Sequence, residues 1–298
     1  MPRVLVFGSI NLDIITPVPR LPVSGETVLG GDALISAGGK GANQAHAARL
    51  AGVEVTMIGR VGDDDLAAPA LALLTAAGVD LSGVGVSSRA TGCATIWTGP
   101  EGSSTIVVSP GANADLRSDD VPDALLEPGV ILVMQQEVPL QENARLIERA
   151  RARGVAVILN AAPAAVPDRH VLEGVDYLVV NEIELATIAA ALDLSGSGAD
   201  LCGPLASLLA STVVATFGAG GTVMAMGKET VAIPATPVDV VDTTGAGDTF
   251  VGVFAAGLLR GVDAVAALHQ ASAAAALCCT RRGAQAAQPV LAEYSAGK

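Results

Sequence analysis

The chain has 298 residues, a formal net charge of −13, 51% hydrophobic residues and only 2% aromatic residues. A nucleic-acid-binding protein needs a basic face, and so does a protein that docks on an anionic membrane, so the charge argues against both classes. Ala, Val and Leu must fill the core of what is either one large domain or two ordinary ones.

Short segments rich in Val and Ile alternate with longer segments rich in Ala and Leu. The former predict strands at residues 4–7, 53–58, 130–134, 155–159, 177–180 and 213–217. The latter predict helices at residues 64–77, 140–153, 182–191, 248–260 and 264–279. Asp63 is a candidate cap before the first of these helices, and Gly78 is a candidate end. Repeated β–α alternation predicts an α/β fold with a mostly parallel sheet covered by helices.

Two segments interrupt this alternation, at about residues 11–37 and 90–109. The first is rich in Pro, Gly and β-branched residues, and the second contains two predicted strands, 93–98 and 105–108, joined by residues 99–102. Both segments predict a small β-sheet that extends from the main domain. Such extensions often act as lids.

Localisation is predicted from the cysteines and from the hydrophobic segments. The four cysteines are Cys93, Cys202, Cys278 and Cys279, and none of them forms a CxxC pair, which argues against a zinc site or a disulfide framework. Reduced thiols in the cytoplasm are therefore expected, and the N-terminus does not resemble an export signal. Residues 201–227 contain no charged side chain, but their Gly and Pro residues argue against a membrane-spanning helix. We expect a short helix, a strand at 212–217, a glycine turn and a strand at 222–226.

The first candidate site follows the first predicted strand. Asn11 and Asp13 are two residues apart, so in an extended chain they face the same way and could serve one ligand, such as a pair of sugar hydroxyls. An Asx turn that ends the strand is the alternative.

The second candidate site is the segment from Gly38 to Gln44. It is not a Walker A loop, because that motif needs Gly at position 34 and Ser or Thr at position 41, where this chain has Leu34 and Gly41. Its glycines allow close approach, and Lys40 and Asn43 offer polar contacts. A glycine-rich helix start is the alternative.

Carboxylates follow two later predicted strands. Glu137 comes after the strand at 130–134, and Asn181 and Glu184 come after the strand at 177–180. Glu184 could help to hold hydrated Mg²⁺ beside ATP phosphates. Alternatively, Asn181 and Glu184 form a capping box at the start of a helix.

The segment from Val241 to Phe250 carries the strongest chemical signal. Gly245, Ala246 and Gly247 lead into a predicted helix, so their amide groups can face an anion at a helix N-terminus. Asp248 lies beside them and could accept a proton from a hydroxyl nucleophile, or could only cap the helix.

Together these segments resemble the ribokinase (PfkB) family of carbohydrate kinases over nearly the whole chain. The two signatures that carry the resemblance are Gly38-Gly39-Lys40-Gly41-Ala42-Asn43-Gln44-Ala45 and Asp242-Thr243-Thr244-Gly245-Ala246-Gly247-Asp248-Thr249-Phe250. Further family-like segments are 8–13, 22–28, 62–64, 111–114, 134–139, 159–164, 181–184 and 280–285. The resemblance implies a single ribokinase-like three-layer α/β/α domain, residues 1–298, with a small β-sheet lid that often pairs with a second subunit as a homodimer.

The resemblance also implies roles for matching residues in ATP-dependent phosphorylation of D-ribose at its 5-hydroxyl. The base and the anion hole would be Asp248 with Gly245, Ala246 and Gly247. The sugar would be held by Asn11, Asp13, Gly39, Lys40, Gly41, Asn43 and Glu137. The nucleotide would lie along Asn181, Thr216, Gly218, Gly220, Gly221 and Gly247. Glu184 would act on Mg²⁺ through water, and an activating K⁺ would lie near Asp242, Thr244, Cys278, Arg281 and Gly283.

Two positions depart from the family pattern. Ala287 stands where the family usually has Ser, which puts the K⁺ site in question, and Ala161 stands where it often has Pro.

Other functions stay open at this point. Nucleoside, fructose, deoxy-sugar and sugar-phosphate kinases share the fold, although Arg20 is the only basic residue between positions 11 and 37 and aromatic residues are scarce. A non-catalytic sugar-binding regulator would keep the fold without turnover. A NAD-linked enzyme would need a G-x-G-x-x-G fingerprint after a strand, and none is found.

Overall fold

The computed structural model describes residues 2–100 and 104–295. Its strands are β1 (Arg3–Phe7), β2 (Asn11–Pro17), β3 (Leu34–Gly38), β4 (Val55–Gly62), β5 (Asp80–Ser87), β6 (Gly92–Thr98), β7 (Ser104–Ser109), β8 (Val130–Met134), β9 (Ala156–Asn160), β10 (Tyr177–Asn181), β11 (Thr212–Thr216), β12 (Thr222–Met226) and β13 (Glu229–Ile233). Its α-helices are α1 (Lys40–Leu50), α2 (Ala67–Ala77), α3 (Leu140–Ala152), α4 (Arg169–Leu172), α5 (Glu182–Ala191), α6 (Cys202–Leu209), α7 (Ala246–Leu259), α8 (Ala264–Cys278) and α9 (Leu291–Ser295).

The predicted strands and helices are all present, and the largest differences lie at β4 and α2. β4 runs from Val55 to Gly62 rather than from 53 to 58. α2 begins at Ala67, so the prediction of Asp63 as its cap is wrong. The neighbouring Asp64 is held elsewhere, because its carboxylate accepts hydrogen bonds from the backbone N–H and the hydroxyl of Thr91, both at 2.7 Å. Gly78 ends α2 with φ 76°, as predicted.

A large sheet forms the middle layer of the main domain. Its strand order is β13-β12-β11-β10-β9-β8-β1-β4-β5, and the pairing is parallel from β11 through β5 and antiparallel at β12 and β13. β1 shows how both faces are covered: Leu5 and Phe7 pack in a core with α3 to α6, whereas Val4 and Val6 pack in a core with α1, α2, α7 and α8. The predicted three-layer α/β/α architecture is therefore confirmed.

A second, smaller sheet has the order β3-β2-β6-β7. Its strands come from the two segments that were predicted to form a lid, and β6 and β7 confirm the predicted strand pair. Glu101 and Gly102 of the predicted connecting turn lie outside the described residues. Because β2 starts at Asn11, soon after β1 ends, the base of this sheet lies at the carboxyl edge of the large sheet.

The uncharged segment at residues 201–227 is divided into α6, β11 and β12, as expected from its Gly and Pro residues. Across the described ranges 2–100 and 104–295, no helix has both the length and the apolar character that a bilayer crossing requires. The expected short helix, strand, glycine turn and second strand are therefore confirmed.

Candidate active site

Asp248 lies in the first turn of α7, and its side chain is only 6% exposed. The residue that precedes the helix is Gly245, with φ 74°, and no side chain caps this N-terminus. A Cβ at Gly245 would lie 2.8 Å from the Cα of Ala284, so a glycine is required for close packing as well as for the backbone conformation. The interpretation of Asp248 as a mere helix cap is wrong, because its carboxylate binds partners on another helix.

Those partners are adjacent residues at the start of α1. Asn43 Nδ2 donates to Asp248 Oδ2 at 2.8 Å, and Gln44 Nε2 donates to Asp248 Oδ1 at 3.0 Å. Both carboxylate oxygens are therefore fixed by amide donors from the glycine-rich segment. Asn43 was assigned a role from the sequence, but Gln44 was not, although its place beside Asn43 in the signature was the available signal.

The glycines before α1 allow the helix to approach the turn between β1 and β2. A Cβ at Gly39, where φ is 88°, would lie 2.7 Å from the backbone nitrogen of Asn11. A Cβ at Gly41 would lie 2.7 Å from the backbone of Gly8 and Ser9. The glycine-rich segment is therefore a helix start, and it is one that lies directly against Asn11.

Glu137 holds the same helix start from the end of β8. Its Oε2 accepts hydrogen bonds from the backbone N–H of Lys40 at 3.0 Å and from the hydroxyl of Ser9 at 2.6 Å. Part of its carboxylate therefore stabilises the N-terminus of α1, where negative charge is favourable. Ser9 was not singled out from the sequence.

Asn11 and Asp13 are both buried in the extended strand β2, so the alternative of an Asx turn is wrong. Asn113, which was not assigned a role from the sequence, fixes the Asn11 amide. Its Nδ2 donates to Asn11 Oδ1 at 2.7 Å, while its Oδ1 accepts from the backbone N–H of Ile10 at 2.9 Å. Because the side-chain oxygen of Asn11 already accepts this hydrogen bond, the side-chain nitrogen of Asn11 is the group that can donate to a ligand.

The residues predicted to hold the sugar, together with Asp248, form the acceptor side of the cleft, and this side is rich in carboxylates. Burial, together with the charges of Glu137 and Asp248, raises the pKa of Asp13 to about 7. The charge of Asp248 raises the pKa of Lys40 against the opposing effect of burial, and Glu137 and Glu184 add to the increase. Lys40 is therefore a firmly charged ammonium among carboxylates, positioned to attract an anionic phosphate.

A cavity of about 250 Å³ adjoins Asp248 on its other side. Its lining combines residues predicted to contact the sugar, the nucleotide and the metal with residues that were not singled out from the sequence. The lining residues are Lys40, Asn160, Ala162, Val179, Val180, Asn181, Glu184, Thr216, Thr243, Gly245, Gly247, Asp248 and Phe250. Gly218, Gly220 and Gly221 are not among these residues. They belong to the turn that follows Thr216, in which Gly218 and Gly220 are exposed.

Asn181 and Glu184 form the capping box that was one of their two interpretations. Asn181 Oδ1 accepts from the backbone N–H of Glu184 at 2.9 Å, and Glu184 Oε2 accepts from the backbone N–H of Asn181 at 2.8 Å. Burial raises the pKa of Glu184, although the Asn181 N–H and Lys40 oppose this effect. The carboxylate nevertheless lines the cavity, so the cap does not exclude a role towards a ligand there.

The residues predicted for K⁺ meet where the loop before α7 packs on the end of α8. Asp242 accepts hydrogen bonds from the hydroxyl of Thr244 at 2.6 Å and from the backbone N–H of Gly283 at 2.9 Å. Burial opposes ionisation of Asp242, but these hydrogen bonds prevail and lower its pKa. The side chain of Arg281 is paired with Glu293.

The family model for pfkB family carbohydrate kinases matches residues 1–291. This chain belongs to the pfkB family of carbohydrate kinases. It is 34% identical to the ribokinase of Lactococcus lactis over 99% of this chain and 97% of the relative, and 36% identical to the ribokinase of Bacillus subtilis over 97% of each. The family assignment makes the chain a phosphotransferase that acts on a sugar hydroxyl.

Solved structures agree with this assignment. The chain superimposes on the ribokinase of Thermotoga maritima with a TM-score of 0.92 and 30% identity, over 99% of both chains. It superimposes on the Arabidopsis thaliana ribokinase complexed with ribose and ATP with a TM-score of 0.89 and 29% identity, over 99% of this chain and 97% of the other. The two-sheet arrangement described above is therefore the ribokinase-like fold.

Proposed function

We propose that this protein transfers the γ-phosphoryl group of ATP to the 5-hydroxyl of D-ribose, forming ribose 5-phosphate and ADP. The observation that carries the proposal is the position of Asp248. Its buried carboxylate lies in the first turn of α7, and it lines one cavity with Gly245, Gly247 and Lys40. Three groups thus converge at one place: a base, a set of backbone N–H donors that can bind an anion, and the ammonium group of a lysine.

In this reaction the 5-hydroxyl oxygen forms a bond to the γ-phosphorus while the bond from that phosphorus to the β,γ-bridging oxygen breaks. Asp248 accepts the hydroxyl proton as the new bond forms. The N–H groups of Gly245, Ala246 and Gly247 face the charge that develops on the phosphoryl oxygens, at the positive end of the α7 dipole. The Lys40 ammonium stabilises the same charge.

The choice of ribose rests on the acceptor side of the cleft and on the named relatives. Asn11 offers donors and Asp13 offers acceptors from one strand, which suits adjacent hydroxyl groups. Arg20 in the lid pairs with Glu26, which disfavours a sugar phosphate as the acceptor. Both relatives named above are ribokinases, and one of the two structures named above is a ribokinase complexed with ribose and ATP.

The cavity suits Mg²⁺ that arrives with the nucleotide. Among residues 2–100 and 104–295, no group of three or more His, Cys, Asp or Glu side chains could hold a metal ion without further ligands. Glu184 lines the cavity with a carboxylate that accepts one backbone N–H, and it would hold hydrated Mg²⁺ through water. When bound, the ion would neutralise phosphate charge.

The loop from Asp242 to Thr244 suits a K⁺ ion bound mainly by backbone carbonyl groups, with the carbonyls of Cys278, Arg281 and Gly283 as further ligands. Ala287 is fully buried just after this segment and offers no side-chain oxygen, so the set is one ligand poorer than in most of the family. Ala287→Ser should therefore lower the K⁺ concentration that half-saturates activation. A titration of initial rate against KCl, with choline chloride holding ionic strength constant, measures this change.

The small sheet formed by β2, β3, β6 and β7 supports a homodimer. Leu34, Ile35, Ile106, Val107 and Val108 are all large, apolar and exposed on β3 and β7. Exposed apolar patches of this kind mark interaction surfaces. We propose that two copies pair through this sheet, and sedimentation velocity of Ile106→Lys against the wild-type chain tests it.

The free cysteines support the predicted compartment. Cys93, Cys202, Cys278 and Cys279 are all unpaired, as expected for a protein of the reducing cytoplasm.

The function is tested by a coupled assay of ADP release with Mg²⁺-ATP. The acceptors are ribose, 2-deoxyribose, fructose, fructose 6-phosphate and adenosine, each with and without K⁺. We expect turnover to be fastest with ribose. Faster turnover with another acceptor would contradict the substrate but retain the role of Asp248. No turnover with any acceptor would favour the sugar-binding regulator.

A further inference from the structure

A side chain without a role in the proposed reaction reaches the carboxylate of Asp248 from α1. Gln44 is fully buried and makes three side-chain hydrogen bonds. Its Nε2 donates to Asp248 Oδ1 at 3.0 Å and to Asn160 Oδ1 at 3.1 Å, and its Oε1 accepts from Gln135 Nε2 at 2.9 Å. All hydrogen-bonding positions of the amide but one oxygen lone pair are therefore used.

The partners determine which end of the Gln44 amide faces Asp248. Asn160 Nδ2 donates to the backbone carbonyl of Val179, so its oxygen must face Gln44. A rotated Gln44 amide would place its oxygen against the oxygens of both Asn160 and Asp248, while its nitrogen would face the Gln135 donor. Only the observed orientation places the Gln44 donors against the oxygens of Asp248 and Asn160 and the Gln44 oxygen against the Gln135 donor.

Gln135 lies on the far side of Gln44, and its Oε1 has no hydrogen-bond partner among the described residues. It follows β8 and is fully buried, and its backbone carbonyl accepts from Asn143 Nδ2 at 2.7 Å. Its amide occupies the space that a Cβ at residue 8 would fill, so the glycine at that position makes room for it. The amides of Gln135 and Gln44 thus form a buried chain that ends on the carboxylate.

We propose that Gln44, held in orientation by Gln135, is a positioning residue for Asp248; this rests on the proposed function, in which Asp248 is the base. With Oδ1 tied to Gln44, the carboxylate plane is fixed relative to the anion hole at the start of α7. Asn43 also binds the carboxylate, but it is expected to contact the sugar. Gln44 is fully buried and does not line the cavity beside Asp248, so we expect it to act on the reaction only through the carboxylate.

The test is steady-state kinetics of Gln44→Met, Gln135→Met and the double variant with ribose and ATP. Because a small misplacement of a reacting group can reduce rate up to about 100-fold, we expect Gln44→Met to lower kcat by about 10- to 100-fold. The KM values for ribose and ATP should change little, since Gln44 touches neither. Gln135→Met should lower kcat less, and the double variant should match Gln44→Met because both changes act through one amide.

Three results would overturn this role. They are a wild-type kcat in Gln44→Met, a wild-type kcat in Gln135→Met, and a double variant whose loss is the product of the two single losses. Gln135→Met keeps the test decisive if Gln44→Met does not fold. Ile147→Val, a core change in α3 far from the cleft, controls for general destabilisation and should leave kcat unchanged.

Wild type and Asp248→Asn are assayed in the same series. A wild type that turns over no acceptor would overturn the proposed function, and the role of Gln44 with it. An active wild type with an inactive Asp248→Asn and an unaffected Gln44→Met would overturn the role of Gln44 alone.

Discussion

The acceptor side and the nucleotide side of the cleft are built differently. On the acceptor side, Asn11, Asp13, Asn43 and Asp248 are all less than 10% exposed, and amide groups hold most of them in place. On the nucleotide side, the candidate contacts include the exposed turn at Gly218–Gly220 and the exposed Gly247. Interlocked buried side chains can reject a wrong sugar, whereas backbone turns bind phosphate with little regard to side chains. Substitutions should therefore have larger effects on the acceptor side.

Asp248→Asn should give the largest effect. The amide cannot accept the hydroxyl proton, so kcat should fall by about 10²- to 10⁴-fold. The KM values for ribose and ATP should change much less than kcat, because the side chain keeps its shape and loses only one of its two hydrogen bonds to α1. Initial-rate kinetics check this, and a kcat near that of the wild type would rule out Asp248 as the base.

Asp13→Asn should give the next largest effect, through sugar recognition. A hydrogen bond to a charged group contributes about 1.5–3 kcal/mol, so kcat/KM for ribose should fall by about 10- to 100-fold. Since Asp13 must be ionised to accept from both hydroxyls, wild-type kcat/KM should also rise with pH up to about 7, the pKa of Asp13. A pH profile of kcat/KM for the wild type and for Asp13→Asn measures this dependence. The same profile in both proteins would contradict the role of ionised Asp13 in binding the sugar.

The same variant should be more stable than the wild type at high pH. The pKa of Asp13 is raised from 3.8 to about 7, so the folded state holds a proton that the unfolded chain releases first, and the free energy of unfolding falls as pH rises through that window. At pH 8 Asp13→Asn should gain up to about 4 kcal/mol. The gain should vanish below pH 4, which urea unfolding at the two pH values can determine.

Asn113→Ala should have a smaller effect on the same side. It frees the Asn11 amide to rotate and leaves the Ile10 N–H without its buried partner, so the KM for ribose should rise about tenfold, the equivalent of one hydrogen bond. The KM for ATP should not change. Thr56→Val, which removes a buried hydroxyl in β4, is the matched control. An equal rise in the KM for ribose in that variant would show that Asn113 does not act by fixing the Asn11 amide.

Gly218→Ala on the nucleotide side should have the smallest effect. Nothing lies within 4 Å of the added Cβ, and a φ of 54° costs an alanine only about 1 kcal/mol. The KM for ATP should rise by less than about fivefold, with ribose kinetics unchanged. A larger loss here than in Asn113→Ala would reverse the proposed contrast between the two sides.

The fold was largely predictable from the sequence, because the strands of the large sheet are buried on both faces and therefore read as apolar segments. β5 and β13 were missed for a physical reason. β5 has the sequence DLSGVGVS, and β13 is short and mostly exposed, so neither carries a continuous apolar pattern. The cap predicted at Asp63 was wrong because α2 begins only at Ala67, and the preceding segment is tied to Thr91 through Asp64, a contact between residues distant in sequence.

The site was predictable only where its residues lie in the two signatures. Asp248 and Asn43 were singled out, and the structure brings their side chains within hydrogen-bonding distance. Gln135, Asn113 and Asn160 act through amide contacts between elements far apart in the chain, and no local pattern distinguishes such a residue from an ordinary polar residue at a strand end. The family resemblance supplied roles for matching positions but not for these supporting residues.

The most direct measurement is a phosphorus–proton NMR correlation of the product formed from ribose and Mg²⁺-ATP by the wild-type protein. Phosphorus coupled to the two protons on C5 is the predicted result, because the hydroxyl activated by Asp248 would be the 5-hydroxyl. Phosphorus coupled to the proton on C1, or the absence of any phosphorylated ribose, would contradict the account.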